Sequence, residues 1–164
     1  MIRVSSRGFV SFGAAMIAVF LFLASKPFAV VGAAPAANDA CALLTPADIA
    51  KATGITVGTG SVGKPIPGVL GRCTWAGEGN AKVIVTLGDA QHMAVTVKAV
   101  EDSGGESVPG VGTKAVGMKG AGFNGGGYIV NVVDAKGGFG VSILGKQGTR
   151  GGVIALAKIV ESHR

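Results

Sequence analysis

The chain has 164 residues, with 15 Lys and Arg against nine Asp and Glu, a formal net charge of +6, and 29 glycines. Three of the cations, Arg3, Arg7 and Lys26, fall in an N-terminal stretch that reads as a leader, and the other twelve are spaced singly from Lys51 to Arg164 with only Trp75, Tyr128 and a few Phe residues to stack on. A nucleic-acid surface needs a basic stripe interleaved with aromatics, so that class is set aside; the glycines have no collagen period and alternate with Val and Ile runs, which excludes a fibrous or disordered chain.

Residues 1–36 carry a positive start at Arg3 and Arg7, an apolar run over 9–24, and a small-residue exit at Val31-Gly32-Ala33-Ala34-Pro35-Ala36. That order predicts a secretory signal peptide cut after Ala36, leaving residues 37–164 as one domain in the periplasm or outside the cell. The competing reading is a retained anchor, but Lys26-Pro27 interrupts the apolar stretch before it reaches the ~20 residues of a span. No stable membrane insertion is therefore expected after cleavage. Lipidation is not expected either, because Asn38-Asp39-Ala40 precede Cys41 where a lipoprotein signal needs a Leu-type residue.

In an oxidising compartment the only two cysteines, Cys41 and Cys73, are expected to pair. A redox pair would need Cys-x-x-Cys, and a metal site would need more ligands than His92 and His163 supply. No metal and no cofactor is expected, and His163 reads as a solvated residue of the C-terminal tail.

Thr45-Pro46-Ala47-Asp48-Ile49 combines a capping hydroxyl, a proline suited to the first helical position and an acid at the third, with Leu44 and Ile49 placed as a hydrophobic staple. Gly54 ends the helix that this predicts over 46–53. Residues 56–71, with Pro65 and Pro67, read as a long exposed loop. Strands are predicted over 72–76 and 82–87, joined by the turn Gly77-Glu78-Gly79-Asn80, with Cys73 and Trp75 on one face of the first and Val83, Val85 and Leu87 on one face of the second. Residues 89–100 carry both a strand alternation and a helical spacing; Asp89 as a cap favours the helix. Residues 102–112 read as loop. Three more strands follow over 114–118, 127–133 and 138–144, the last two joined too tightly for a parallel crossover. Thr149 opens a terminal helix that gathers Val153, Leu156, Ala157 and Val160 on one face. The sum is an α+β domain: one antiparallel sheet of about five strands with about three helices packed against it and one disulfide.

Motifs with chemistry fail on context. Gly120-Ala121-Gly122-Phe123-Asn124-Gly125 matches a dinucleotide pattern but precedes a strand, where the chemistry needs a helix N-terminus. Two glycine runs, 58–63 before Lys64 and 140–145 before Lys146, lack the Ser or Thr of a phosphate loop. Ser61, Ser107 and Ser142 lack the flanking glycines of a nucleophile elbow. His92 has no evident acid partner, and Glu101-Asp102 are sequence neighbours rather than a pair facing across a cleft. No catalytic residue is assigned.

The stretches Cys41-Ala42-Leu43-Leu44-Thr45, Arg72-Cys73-Thr74-Trp75 and Pro109-Gly110-Val111-Gly112-Thr113-Lys114-Ala115 together resemble an uncharacterised family of small exported bacterial domains. That family opens Cys-x-Leu-Leu-Thr, carries a second Cys before an aromatic, and has a Gly-x-Gly-Asp-x-Ala turn; many members are lipoproteins. The resemblance implies a disulfide-stapled antiparallel sheet flanked by helices, similar to the photosystem extrinsic-protein sandwich, and it transfers no catalytic residue. Thr113 stands where the family turn has Asp, so no role of that carboxylate carries over.

The expected function is a non-enzymatic binding or interaction domain of the cell envelope or extracellular space, contacting an envelope protein or a small ligand through its Gly-rich loops at 56–71 and 118–127. The alternatives are a small secreted enzyme inhibitor, an enzyme with an unrecognised site around His92, and an accessory subunit with an apolar patch on its sheet.

Overall fold

The computed structural model describes residues 39–120 and 126–164. The leader therefore lies outside the described residues, as does most of the dinucleotide-like glycine run. The Asp39 carboxylate accepts the Cys41 N–H at 3.0 Å and starts a 3-10 turn, Ala40–Ala42. Helix α1, Pro46–Thr53, follows with the bounds that its signals predict. The Thr45 hydroxyl accepts the Asp48 N–H, and the Asp48 carboxylate accepts the Thr45 N–H at 2.9 Å, so two amides that a helix start leaves orphaned satisfy each other's residues. Gly54 closes the helix in the left-handed region.

Among the described residues seven strands form one antiparallel sheet: β1 Ser61–Val62, β2 Val69–Ala76, β3 Lys82–Gly88, β4 Glu106–Ser107, β5 Lys114–Lys119, β6 Gly127–Asp134 and β7 Gly137–Leu144, in the order β1-β2-β3-β7-β6-β5-β4. This corrects the expected count of about five. The two extra strands, β1 and β4, lie inside segments expected to be loops and sit at opposite edges of the sheet. Each has only two residues, too few to show an alternation, and each exists because a neighbour, β2 or β5, offers an unpaired edge. Helix α2, Ala90–Asp102, resolves the ambiguous segment: the Asp89 carboxylate caps it by accepting the His92 N–H at 2.7 Å. Helix α3, Arg150–His163, is capped by Thr149 as expected.

Both faces of the sheet carry helices. Register places Cys73 beside Val85 and Trp75 beside Val83, and places Val132 beside Phe139 and Ala115, so these side chains share one face. There they form a single buried cluster with Leu44 and Ile49 from the α1 region and with Val153, Leu156, Ala157 and Val160 of α3. The opposite face receives α2. Met93 packs on Gly88 and Gly138, and Val100 reaches towards Val116 at Gly105, each contact landing on the other side of the pleat.

Cys41 and Cys73 are disulfide-bonded, with Cα atoms 5.0 Å apart. The bond fastens the turn before α1 to the middle of β2 beside Trp75, which is almost fully buried. Gly60 crosses directly over this staple: a β-carbon there would lie 2.7 Å from both the Cys73 sulfur and the Trp75 Nε1. Only a residue without a side chain fits at that crossing.

Candidate functional site

The residues with catalytic potential in the sequence do not converge. His92 is half-buried on α2 against Gly68, in a shallow depression of about 350 Å³ shared with Pro67, Asp89, Gln91 and Val95. The one acid beside it, Asp89, spends its carboxylate on the α2 cap. His163 is exposed but not free in a tail: it sits in the last turn of α3 and its Nδ1 donates to the Leu43 carbonyl at 2.9 Å, tying that helix to the segment before α1. Glu101 and Asp102 point to separate lysines, Lys114 at 2.6 Å and Lys98 at 2.9 Å. Ser142 is buried on β7, and the Ser61 hydroxyl donates to the Thr74 carbonyl. Among the described residues no three His, Cys, Asp or Glu side chains group as metal ligands, and no helix is long and apolar enough to cross a membrane.

A different place in the fold is concave. Where β5 ends, β6 begins and α3 starts, a cleft of about 960 Å³ opens. Its floor is Gly117 and Tyr128. Its rim carries Lys119 from β5, Lys146 from the β7–α3 connection, Arg150 from the first turn of α3, and Glu106 from β4. The glycines near the strand ends let the connections fold tightly: Gly120 N–H donates to the Gly127 carbonyl at 3.0 Å, Gly145 N–H to Gly126 at 2.9 Å, and Gly148 N–H to Gly145 at 3.0 Å. The α3 N-terminus is thereby set against the end of the sheet, where the Thr149 hydroxyl accepts the Gly152 N–H and the helix start adds partial positive charge.

Three cations thus face one acid. Arg150 Nε lies 3.3 Å from Glu106 Oε2, with both side chains about half exposed or more. A pair of that kind contributes at most about 1 kcal/mol, so it is readily exchanged for another anion. Beneath the rim, Tyr128 is 5% exposed and its hydroxyl has no hydrogen-bond partner among the described residues. A buried, unpaired hydroxyl costs about 1–3 kcal/mol relative to a satisfied one.

The sequence marks this cleft only in part: Lys119, Gly120, Gly126 and Gly127 fall in the Gly-rich segment 118–127 expected to carry contacts, whereas Glu106 and Arg150 carry no motif. The charged side chains of the rim come from four separate segments, and single surface lysines carry no motif. The local signals were the Thr149 cap, which places Arg150 in a first turn, and the glycines around Tyr128. No family model, curated protein or solved structure matches the chain.

Proposed function

We propose that the protein is an exported, disulfide-stapled binding domain that holds a small ligand in the cleft between the β5–β6 end of the sheet and the start of α3, and that it does no chemistry on that ligand. The observation that carries this reading is the cleft itself, whose volume falls in the range of small-molecule sites and which carries charged groups at its rim. A rigid scaffold supports it: α3 and β6 contribute to one buried cluster, so the groups around the cleft are pre-positioned. The Cys41–Cys73 bond supports residence in an oxidising compartment, in line with the leader-like residues 1–36. The likeness of its three short motifs to a family of small exported bacterial domains supports the same placement.

Amide-resolved NMR of the oxidised protein against a mixed library of small soluble molecules tests the reading. Binders are expected to move the amides of Lys119, Gly127, Tyr128 and Gly148 and to leave those of α1 unmoved. Perturbation only elsewhere, or chemical conversion of a library compound by the protein, overturns it.

A further inference from the structure

The chemistry of the cleft narrows its ligand class, and this step rests on the binding reading above. Lys119, Lys146 and Arg150 face one carboxylate, Glu106, around a cavity that also receives the N-terminus of a 14-residue helix.

We infer that the cleft takes a small organic oxyanion, its carboxylate or phosphate group held between Lys146 and Arg150 at the start of α3. Glu106 is then a place-holder: in the empty cleft it occupies Arg150, and the ligand's oxyanion displaces it.

Titration of the oxidised protein with phenyl phosphate, benzoate and neutral benzamide, followed by amide shifts, separates the outcomes. Phenyl phosphate and benzoate are expected to move the cleft amides and benzamide to leave them in place; the stronger of the two anions identifies phosphate or carboxylate as the source. Lys146→Gln and Arg150→Gln each weaken the anion by about five- to tenfold, the loss expected of one charge-assisted contact. Glu106→Gln tightens it by about threefold, the size of an exposed ion pair released, a gain that misfolding cannot mimic. Benzamide binding the same amides as tightly as the anions overturns the oxyanion assignment while leaving a binding cleft. Silence of the cleft towards all three overturns the assignment as well, and the mixed library then judges the binding reading on its own. Unchanged anion affinity in both Glu106→Gln and Lys146→Gln removes the charged rim from the site.

Discussion

The hydroxyl of Tyr128 on β6 lies over Gly117 on β5, close enough that a β-carbon on the glycine would sit 2.7 Å from the oxygen and 2.8 Å from the ring. Gly117→Ala must therefore push the ring aside or spread the two strands, at a cost of about 1–3 kcal/mol. Tyr128→Phe removes an unpaired buried hydroxyl and is expected to be neutral or to raise stability. Urea denaturation of the two variants checks both signs. A Tyr128→Phe variant destabilised as much as Gly117→Ala would show that the hydroxyl has a partner in the free protein.

The disulfide closes a sequence separation of 32 residues. Confining the unfolded chain to a loop of that size stabilises the fold by roughly 3 to 4 kcal/mol in the chain-entropy view. Reduction, or the Cys41→Ala, Cys73→Ala double substitution, is expected to lower the unfolding free energy by that amount. Thermal unfolding with and without reductant measures it, and an unchanged Tm would mean that the staple constrains nothing the core does not already hold.

At the start of α1, the Thr45 hydroxyl and then its backbone N–H hold the Asp48 carboxyl below the ordinary carboxylate range. With the folded value below the unfolded one, the unfolded chain takes the proton first as pH falls. The stabilisation is complete above the unfolded pKa of about 3.9 and is lost as pH drops through the folded value. Thr45→Ala is expected to cost about 1 kcal/mol at pH 7 and measurably less once Asp48 is protonated in strong acid. Denaturation of wild type and variant across the acid range gives the test; a cost independent of pH would exclude the reciprocal cap as its source.

Helix α3 is fastened at its far end by Arg164, which pairs with Asp134 at 2.8 Å and lies 5.0 Å over the Phe139 ring, with little of either charged side chain exposed. Arg164→Ala is expected to lose about 2 kcal/mol, part from the charge-assisted bond and part from the ring contact. Arg164→Lys recovers less than half, since an ammonium cannot pair in the fork and stack at once. A double-mutant cycle with Asp134→Asn separates the two contributions.

Much of this fold is legible along the chain because its signals are local. Thr45, Asp48 and Gly54 set α1 to the residue, Asp89 decides α2, and Thr149 opens α3. The five longer strands are signalled by short apolar runs between glycine-rich turns, although β2 starts at Val69 inside the segment 56–71 expected to be loop, and two cysteines leave one pairing. The two-residue edges β1 and β4 are not legible, since Ser61, Val62, Glu106 and Ser107 become strand only through the neighbours they pair with. The cleft is legible only through the Gly-rich segment 118–127 at one side of it. Lys119, Lys146, Arg150 and Glu106 are isolated charges in the sequence, and only the register of β4, β5 and β6 with the placement of α3 brings them to one rim. His163 shows the limit at single-residue scale: nothing near it in sequence predicts a bond to Leu43, 120 residues away.

Native mass spectrometry of the protein purified gently from the cell envelope or the medium reads the leader, the disulfide and the ligand in one spectrum. The expected species is a chain starting at Ala37 that gains two hydrogens on reduction and carries an added small anionic mass, lost from the Lys146→Gln, Arg150→Gln double variant. A full-length chain with two free thiols and no added mass would contradict an exported, stapled domain that binds a small anion.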